Sequence, residues 1–435
     1  MSTSFEPDKR TSGGQTIRLL GEEAQAGGLL RPFKVRNYCL LFGGQAVSTI
    51  GDALYMVALP WLILTGGGGA QELGIVLTAY GIPRISGILL GGWLSDRIRP
   101  RWLMLLADVV RAVLVGMLAA QAFWGHPALW QLCVVAIPLG LFQGLFLPAN
   151  QSILPEILAD DDLQAGNALS FTSAQGALLV GASVGGVIVA ALNSGLAMAV
   201  DALTFVVSAI SLAMMRVAVA TTTREHAENA TNLAGTGAVQ REQVGFWHYL
   251  RTSRPLQIGL SISIVANFCL GGLMEVALPV LAHGPFHAGA SGYGLIIAAL
   301  GAGTLGGGVV AGMLGKLKRK GLLALLTALF MAGNIALVPY AGLSGAILFM
   351  LIAGIASSFT NILFLTAFQL TIPHHLMGRA MSLLLLASYG SYPISVALAG
   401  AFSSQIGPAI LFPFSGLLLA LAVLFGLTQR ELRDL

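Results

Sequence analysis

The sequence predicts an all-α membrane protein whose twelve transmembrane helices form two six-helix bundles related by a parallel repeat. Three observations carry this expectation: twelve long apolar stretches, too few charges to coat a soluble globule, and a match between the two halves at a nearly constant offset. Of the 435 residues, 56% are hydrophobic and only 10% are charged, where soluble domains carry roughly 25%. The net charge of +4 does not point to a nucleic-acid partner. The basic residues sit in short clusters between apolar runs rather than along one face.

A spanning helix needs about 20 mostly apolar residues. Such stretches occur at 38–64, 73–95, 102–123, 129–149, 170–192, 195–216, 256–282, 291–315, 321–341, 345–369, 379–402 and 407–427, bounded by charge clusters or Gly/Pro/Asn turns. The resulting division is an N-terminal tail (1–37), a first bundle (38–216), a linker (217–255), a second bundle (256–427) and a C-terminal tail (428–435). No apolar region with a cleavage site occurs in the polar first 37 residues, so the first span is expected to direct insertion.

Lys and Arg fix the expected orientation. Six precede the first span, three lie between spans 2 and 3 (Arg97, Arg99, Arg101), and four lie between spans 8 and 9 (Lys316, Lys318, Arg319, Lys320). Five more lie from Arg216 to Arg254, and the opposite loops 65–72, 124–128 and 283–290 hold none. Both termini are therefore expected in the cytoplasm, with the chain multi-pass in the cell membrane.

The halves repeat. Ala58-Leu59-Pro60 recurs 219 positions later as Ala277-Leu278-Pro279, and the same shift carries Arg97 and Arg101 onto Lys316 and Lys320. A shift of 218 carries Gln151 onto Gln369 and Pro155 onto Pro373. A constant offset across several spans is the mark of an internal repeat, and six plus six helices in parallel repeat suit two bundles rocking about a midplane cavity.

An ionisable side chain at membrane depth is costly and so marks a functional candidate. Asp52 lies roughly 21 Å along its helix from Tyr38, and Arg84 roughly 18 Å from Asp96, at 1.5 Å per residue, so the two can meet at mid-membrane. They are read either as a coupling or substrate-binding switch or as a permanent salt bridge between spans 1 and 2. Glu275, seven residues before the end of span 7 with no basic residue expected at its depth, is read as a second proton or cation site, or as a solvated carboxylate in an outer vestibule. Asp108 and Arg111 stand three apart on one helix face and are read as a structural charge pair. Asp201, placed near the outer end of span 6, is read as a packing or hydrogen-bonding residue.

Gly92-Trp93-Leu94-Ser95-Asp96-Arg97 resembles the G-x-x-x-D-R loop signature of the major facilitator superfamily. More narrowly, Gly51-Asp52-Ala53 with Ala58-Leu59-Pro60, Pro83-Arg84, Asp108-Val109-Val110-Arg111, Pro148-Ala149-Asn150 with Leu154-Pro155-Glu156, Asp201-Ala202-Leu203-Thr204-Phe205 and Gly378-Arg379 resemble the branch of enterobactin exporters and macrolide-efflux proteins. In span 5, Gly181-Ala182-Ser183-Val184-Gly185-Gly186 is similar to the end of the antiporter motif, with Ala182 at its proline. The resemblance implies a gate at the cytoplasmic mouth, in which Gly92, Asp96 and Arg97 face Arg379 and the positive N-terminus of span 11. It also implies that spans 1, 2, 4, 7, 10 and 11 line the cavity, which makes Tyr55, Tyr80, Phe146, Phe268, Phe368 and Tyr389 its expected aromatics.

Other readings are excluded or set aside. No Walker motif occurs, so ATP hydrolysis is not expected and any pumping draws on an ion gradient. Cys39, Cys133 and Cys269 lack ligand spacing, and His374-His375 lacks companions for zinc, so neither a metal nor a cofactor is expected. No enzyme constellation lies outside the apolar spans. The expected function is export of a small organic molecule, a drug, antibiotic or siderophore-like compound, by a monomer exchanging it for protons and surrounded by membrane lipid. An uptake symporter or lipid translocator on the same fold, and a membrane sensor or assembly factor that no longer transports, are the alternatives.

Overall fold

The computed structural model describes residues 30–95, 97–216, 248–313, 319–372 and 376–433. Twelve helices among them are long and apolar enough to cross a membrane. They are α1 (Arg36–Thr65), α2 (Ala70–Ser95), α3 (Pro100–Trp124), α4 (Leu129–Ile157), α5 (Asp161–Ala191), α6 (Ser194–Met214), α7 (Arg254–His283), α8 (Gly289–Ala311), α9 (Lys320–Tyr340), α10 (Gly342–Thr366), α11 (Arg379–Ile406) and α12 (Pro408–Thr428). Most of the predicted linker, Asp96, Lys316, Lys318 and His374-His375 lie outside the described residues.

Several helices outrun the predicted spans. Helix α4 continues past 149 through Pro148 and Pro155 to Ile157, and α5 begins at 161 rather than 170. Hydropathy marks the bilayer core, whereas a helix ends where its backbone bonds run out. Proline inside a packed helix is tolerated when neighbours satisfy the freed carbonyls. The basic cluster after α2 has a local task as well, since Arg101 donates to the carbonyls of Leu212 and Ala213, both at 2.7 Å, and closes the C-terminus of α6.

In the first half α1 packs on α5 and α6, α2 on α4, and α3 on α4 and α6; in the second, α7 packs on α11 and α12, α8 on α10, and α9 on α10 and α12. The halves meet where α2 crosses α11 and α5 crosses α8. The repeat equates α2 with α8 and α5 with α11, so the two crossings are exchanged by one pseudo-two-fold axis. Both need glycine: a Cβ on Gly74 would stand 2.9 Å from the Gly400 Cα, and one on Gly294 2.5 Å from the Ala182 carbonyl.

Twelve crossings among the described residues bring the start of α1 and the end of α12 to one face, here called the terminal face. Away from it, buried residues of both halves, among them Leu73, Phe205, Tyr293 and Phe412, fuse into one core. Near it the cores separate into a cluster around Tyr38, Met104 and Ile153 and another around Leu256, Phe368 and Ile372. At the opposite face Trp61 of α1 and His283 of α7 meet edge to face, 5.1 Å between ring centroids. Among the described residues the molecule is thus shut at the opposite face and parted at the terminal face.

One ion pair lies wholly inside the first half. Asp108 is 0% and Arg111 2% exposed, and they bond to each other on α3. The second Asp108 oxygen accepts from Ser208 at 2.7 Å, while Arg111 donates to Gln143 of α4 and lies between the Phe146 and Phe205 rings, 4.4 Å from each centroid. Removing one partner leaves an uncompensated charge, at a cost of about 3–5 kcal/mol, whereas apolar replacement of both partners is far milder. Thermal unfolding of the detergent-solubilised protein should therefore show Asp108→Ala and Arg111→Ala each well below the parent, and D108L/R111M above both single variants. A double variant less stable than either would contradict this account.

Candidate functional site

Midway along the bundle, a cavity of about 220 Å³ lies between the halves. Helix α1 supplies Asp52 and Tyr55, α2 Tyr80 and Arg84, α4 Gln143, α7 Glu275 and α11 Tyr392. Each helix delivers these groups from its middle third or just beyond it, because the flanking apolar turns occupy the bilayer on either side. One cation and two carboxylates therefore share one enclosed space at mid-depth, with Glu275 from one half and Asp52 and Arg84 from the other.

Asp52 and Arg84 line the same wall, yet they are not in ion-pair contact in this conformation. The ion pairs among the described residues are Arg31–Asp162 and Asp108–Arg111. The Arg84 guanidinium instead lies 4.6 Å from the Tyr389 ring centroid on α11 and 5.8 Å from that of Tyr80. Its buried Nε has no hydrogen-bond partner. A guanidinium over aromatic faces keeps part of its stabilisation through the ring quadrupole and remains able to move to a carboxylate.

Glu275 differs from its expected surroundings, because Arg84 lines the same cavity. Position along α7 was a poor guide to its neighbours. Residues Leu273–Ala277 form a π-turn in which the Leu278 amide bonds back to the Leu273 carbonyl, directly before Pro279, which has no donor. That wide turn carries Glu275.

The remaining expected residues divide. Tyr55 and Tyr80 line the cavity and Tyr389 stacks on Arg84. Phe146 is packed against Arg111 in the first-half core and Phe368 against Phe364 in the second, 5.8 Å apart, so neither borders the cavity. Phe268 does not line it either; its carbonyl accepts a bond from Ser395. Residue type alone does not say which way a ring points. Asp201 is 1% exposed, accepts from Thr204 at 3.4 Å, and sits so close to α1 that a Cβ on Gly51 would fall 2.4 Å from its Oδ1. It is a buried packing and hydrogen-bonding residue of α6 that lies beside Gly51-Asp52. At the predicted gate, Arg97 lies over the Trp93 ring at 4.0 Å, Gly92 faces open space, and Arg379 opens α11. Gln143 escaped notice in the sequence, although an amide inside the apolar run of α4 was the available signal.

Among the described residues no group of His, Cys, Asp and Glu is arranged to hold a metal ion. The cavity instead gathers Asp52, Arg84 and Glu275 inside a wall of tyrosines that offers flat apolar surface and hydroxyls.

Solved structures of similar fold include a D-xylose-proton symporter (TM-score 0.67, 18% identity, 90% of this chain and 95% of that one) and a nucleoside transporter NupG (TM-score 0.70, 13% identity, 89% and 99%). Curated relatives include the enterobactin exporter EntS of Citrobacter koseri, 26% identical over 406 residues, and that of Salmonella typhimurium, 25% identical over 405; each alignment covers 90% of this chain and 92% of the relative. The family description "Major Facilitator Superfamily" matches residues 41–396. With twelve helices in two exchanged bundles around a charged midplane cavity, the chain belongs to the Major Facilitator Superfamily of membrane transporters and resembles its enterobactin-exporter branch.

Proposed function

We propose that this transporter exports a small amphipathic organic molecule, a drug, antibiotic or siderophore-like compound, across the cytoplasmic membrane in exchange for protons. The observation that carries the reading is the single cavity in which Asp52 and Arg84 of one half face Glu275 of the other. The excess of Lys and Arg on the terminal-face loops argues that this face is cytoplasmic. The exporters that the chain resembles support the direction.

The cycle follows from partner exchange. In the conformation parted at the terminal face, Arg84 leans on Tyr389 across the α2–α11 crossing and helps keep the opposite face shut. Substrate arriving from the cytoplasm displaces protons held on Asp52 and Glu275, which leave to the cytoplasm. The bare carboxylates then attract Arg84, drawing it off Tyr389 and loosening the crossing so that the opposite face opens. Protons from that side neutralise the acids, substrate departs, and Arg84 returns to the ring. Each turn moves protons inward and solute outward.

In a pump-deficient host, expression should lower retention of enterobactin, chloramphenicol or erythromycin, and a protonophore should abolish the difference. Higher retention would identify an uptake system. In reconstituted vesicles, Asp52→Asn and Glu275→Gln should cut pH-driven flux by at least about tenfold, a loss equivalent to about 1.4 kcal/mol, while solute exchange without a gradient persists. Unimpaired pH-driven flux in both Asp52→Asn and Arg84→Ala refutes the coupling assignment.

A second test addresses alternating access. Trp61→Cys with His283→Cys, bridged by a short bifunctional thiol reagent, should hold the opposite face shut and stop flux, and reduction should restore it. Flux that survives complete cross-linking rules out an opposite-face gate at this contact.

A further inference from the structure

A second and larger cavity, about 450 Å³, lies wholly within the first half, between α1, α4 and α5 towards the terminal face. Its character is unlike that of the central one. No Asp, Glu, Lys, Arg or His borders it; its polar wall is made of amides and hydroxyls, chiefly Gln45, Thr49, Asn150, Gln151, Asn167 and Ser173. The side chains of Asn150, Gln151, Asn167 and Ser173 have no hydrogen-bond partner within the protein, and so present free donors and acceptors. Leu41, Phe42 and Leu154 supply apolar surface beside them.

Two further features make this a built site. Gln45 and Thr49 of its wall lie on the same face of α1 as Asp52 and Met56 of the central cavity, at steps of three and four residues, so one helix stripe runs from one cavity to the other. A chain of hydrogen bonds, buried at its centre, also joins the two walls. Gln45 donates to Ser208 at 3.3 Å, Ser208 to Asp108 at 2.7 Å, Asp108 pairs with Arg111, and Arg111 donates to Gln143 of the central cavity. The Asp108–Arg111 pair is thus the middle link between the cavities.

We infer that this cavity is a loading site for uncharged, hydrogen-bonding amphiphiles, molecules that carry amide, ester or hydroxyl groups on an apolar frame, and that it holds them before they reach the charged cavity. Unpaired amides in a half-enclosed apolar setting reward a ligand that satisfies them and reject a bare ion, which would lose its hydration without gaining a counter-charge. All the lining comes from one half, so the site needs no closure of the bundles to be complete. It rests on the reading of the chain as a carrier of small organic solutes, but not on proton coupling.

The test is binding rather than flux, with chloramphenicol as the probe because it joins an amide and two hydroxyls to an aryl ring without charge. On the purified full-length protein, N150L/N167L should weaken chloramphenicol binding by at least about tenfold, the loss expected when two unpaired bonding groups of the cavity wall disappear. Ser404→Ala, exposed near the opposite-face end of α11 and outside both cavities, should leave it within about twofold. In protein whose Cys39, Cys133 and Cys269 are changed to serine, chloramphenicol should also protect Ser173→Cys from N-ethylmaleimide, and this measurement decides the matter if N150L/N167L does not fold. The inference is overturned if the parent protein shows no saturable chloramphenicol binding, if binding is lost in Asp52→Asn and Arg84→Ala yet survives in N150L/N167L, or if Ser173→Cys is labelled equally with and without the drug.

Discussion

Charge held away from water sets the terms for this molecule. Every ionised group between the two faces must find a counter-charge, a polar partner or an aromatic face. The first half meets the requirement twice, in opposite ways. Asp108 and Arg111 are paired with each other, bonded to Ser208 and Gln143 and held between two phenylalanine rings. Arg84, one helix away, is held by rings alone with a nitrogen left over. A cation paired with a carboxylate stiffens a bundle, and one held only by rings is free to change company.

The crossings set how the two halves meet. Glycines bring α2 against α11 and α5 against α8 backbone to backbone. Arg84, over the Tyr389 ring, adds a side-chain contact across the α2–α11 crossing, and the pseudo-two-fold axis exchanges that crossing with the α5–α8 one. Around the crossings the cores fuse at the opposite face and split at the terminal face, the arrangement from which the proposed cycle starts.

Much of this was legible in the sequence, for a physical reason. A bilayer demands long apolar helices, so the spans and the parallel repeat stand out in composition and spacing. Buried charge is rare enough that Asp52, Arg84 and Glu275 declare themselves as unusual. What stayed hidden depends on rotation about each helix axis. Phe146 and Phe368 are the right residue type on the right helices but turn into packed cores, whereas Gln143, an unremarkable amide in α4, turns towards the cavity. Asp201 reads from the sequence as a packing or hydrogen-bonding residue, and only the packing of α6 on α1 shows that its neighbour is Gly51-Asp52. The prolines of α4 suggested an early stop that the packed helix overrides.

The π-turn in α7 adds one possibility that rigid rocking lacks. It holds one residue more than an α-helical turn would, just where Glu275 projects. Rewinding that turn to ordinary α geometry rotates everything on one side of it by about 100° and slides it by about 1.5 Å. An acid mounted on such a loosened coil is re-aimed by a change that starts in five residues and carries the short end Leu278–His283 round with it.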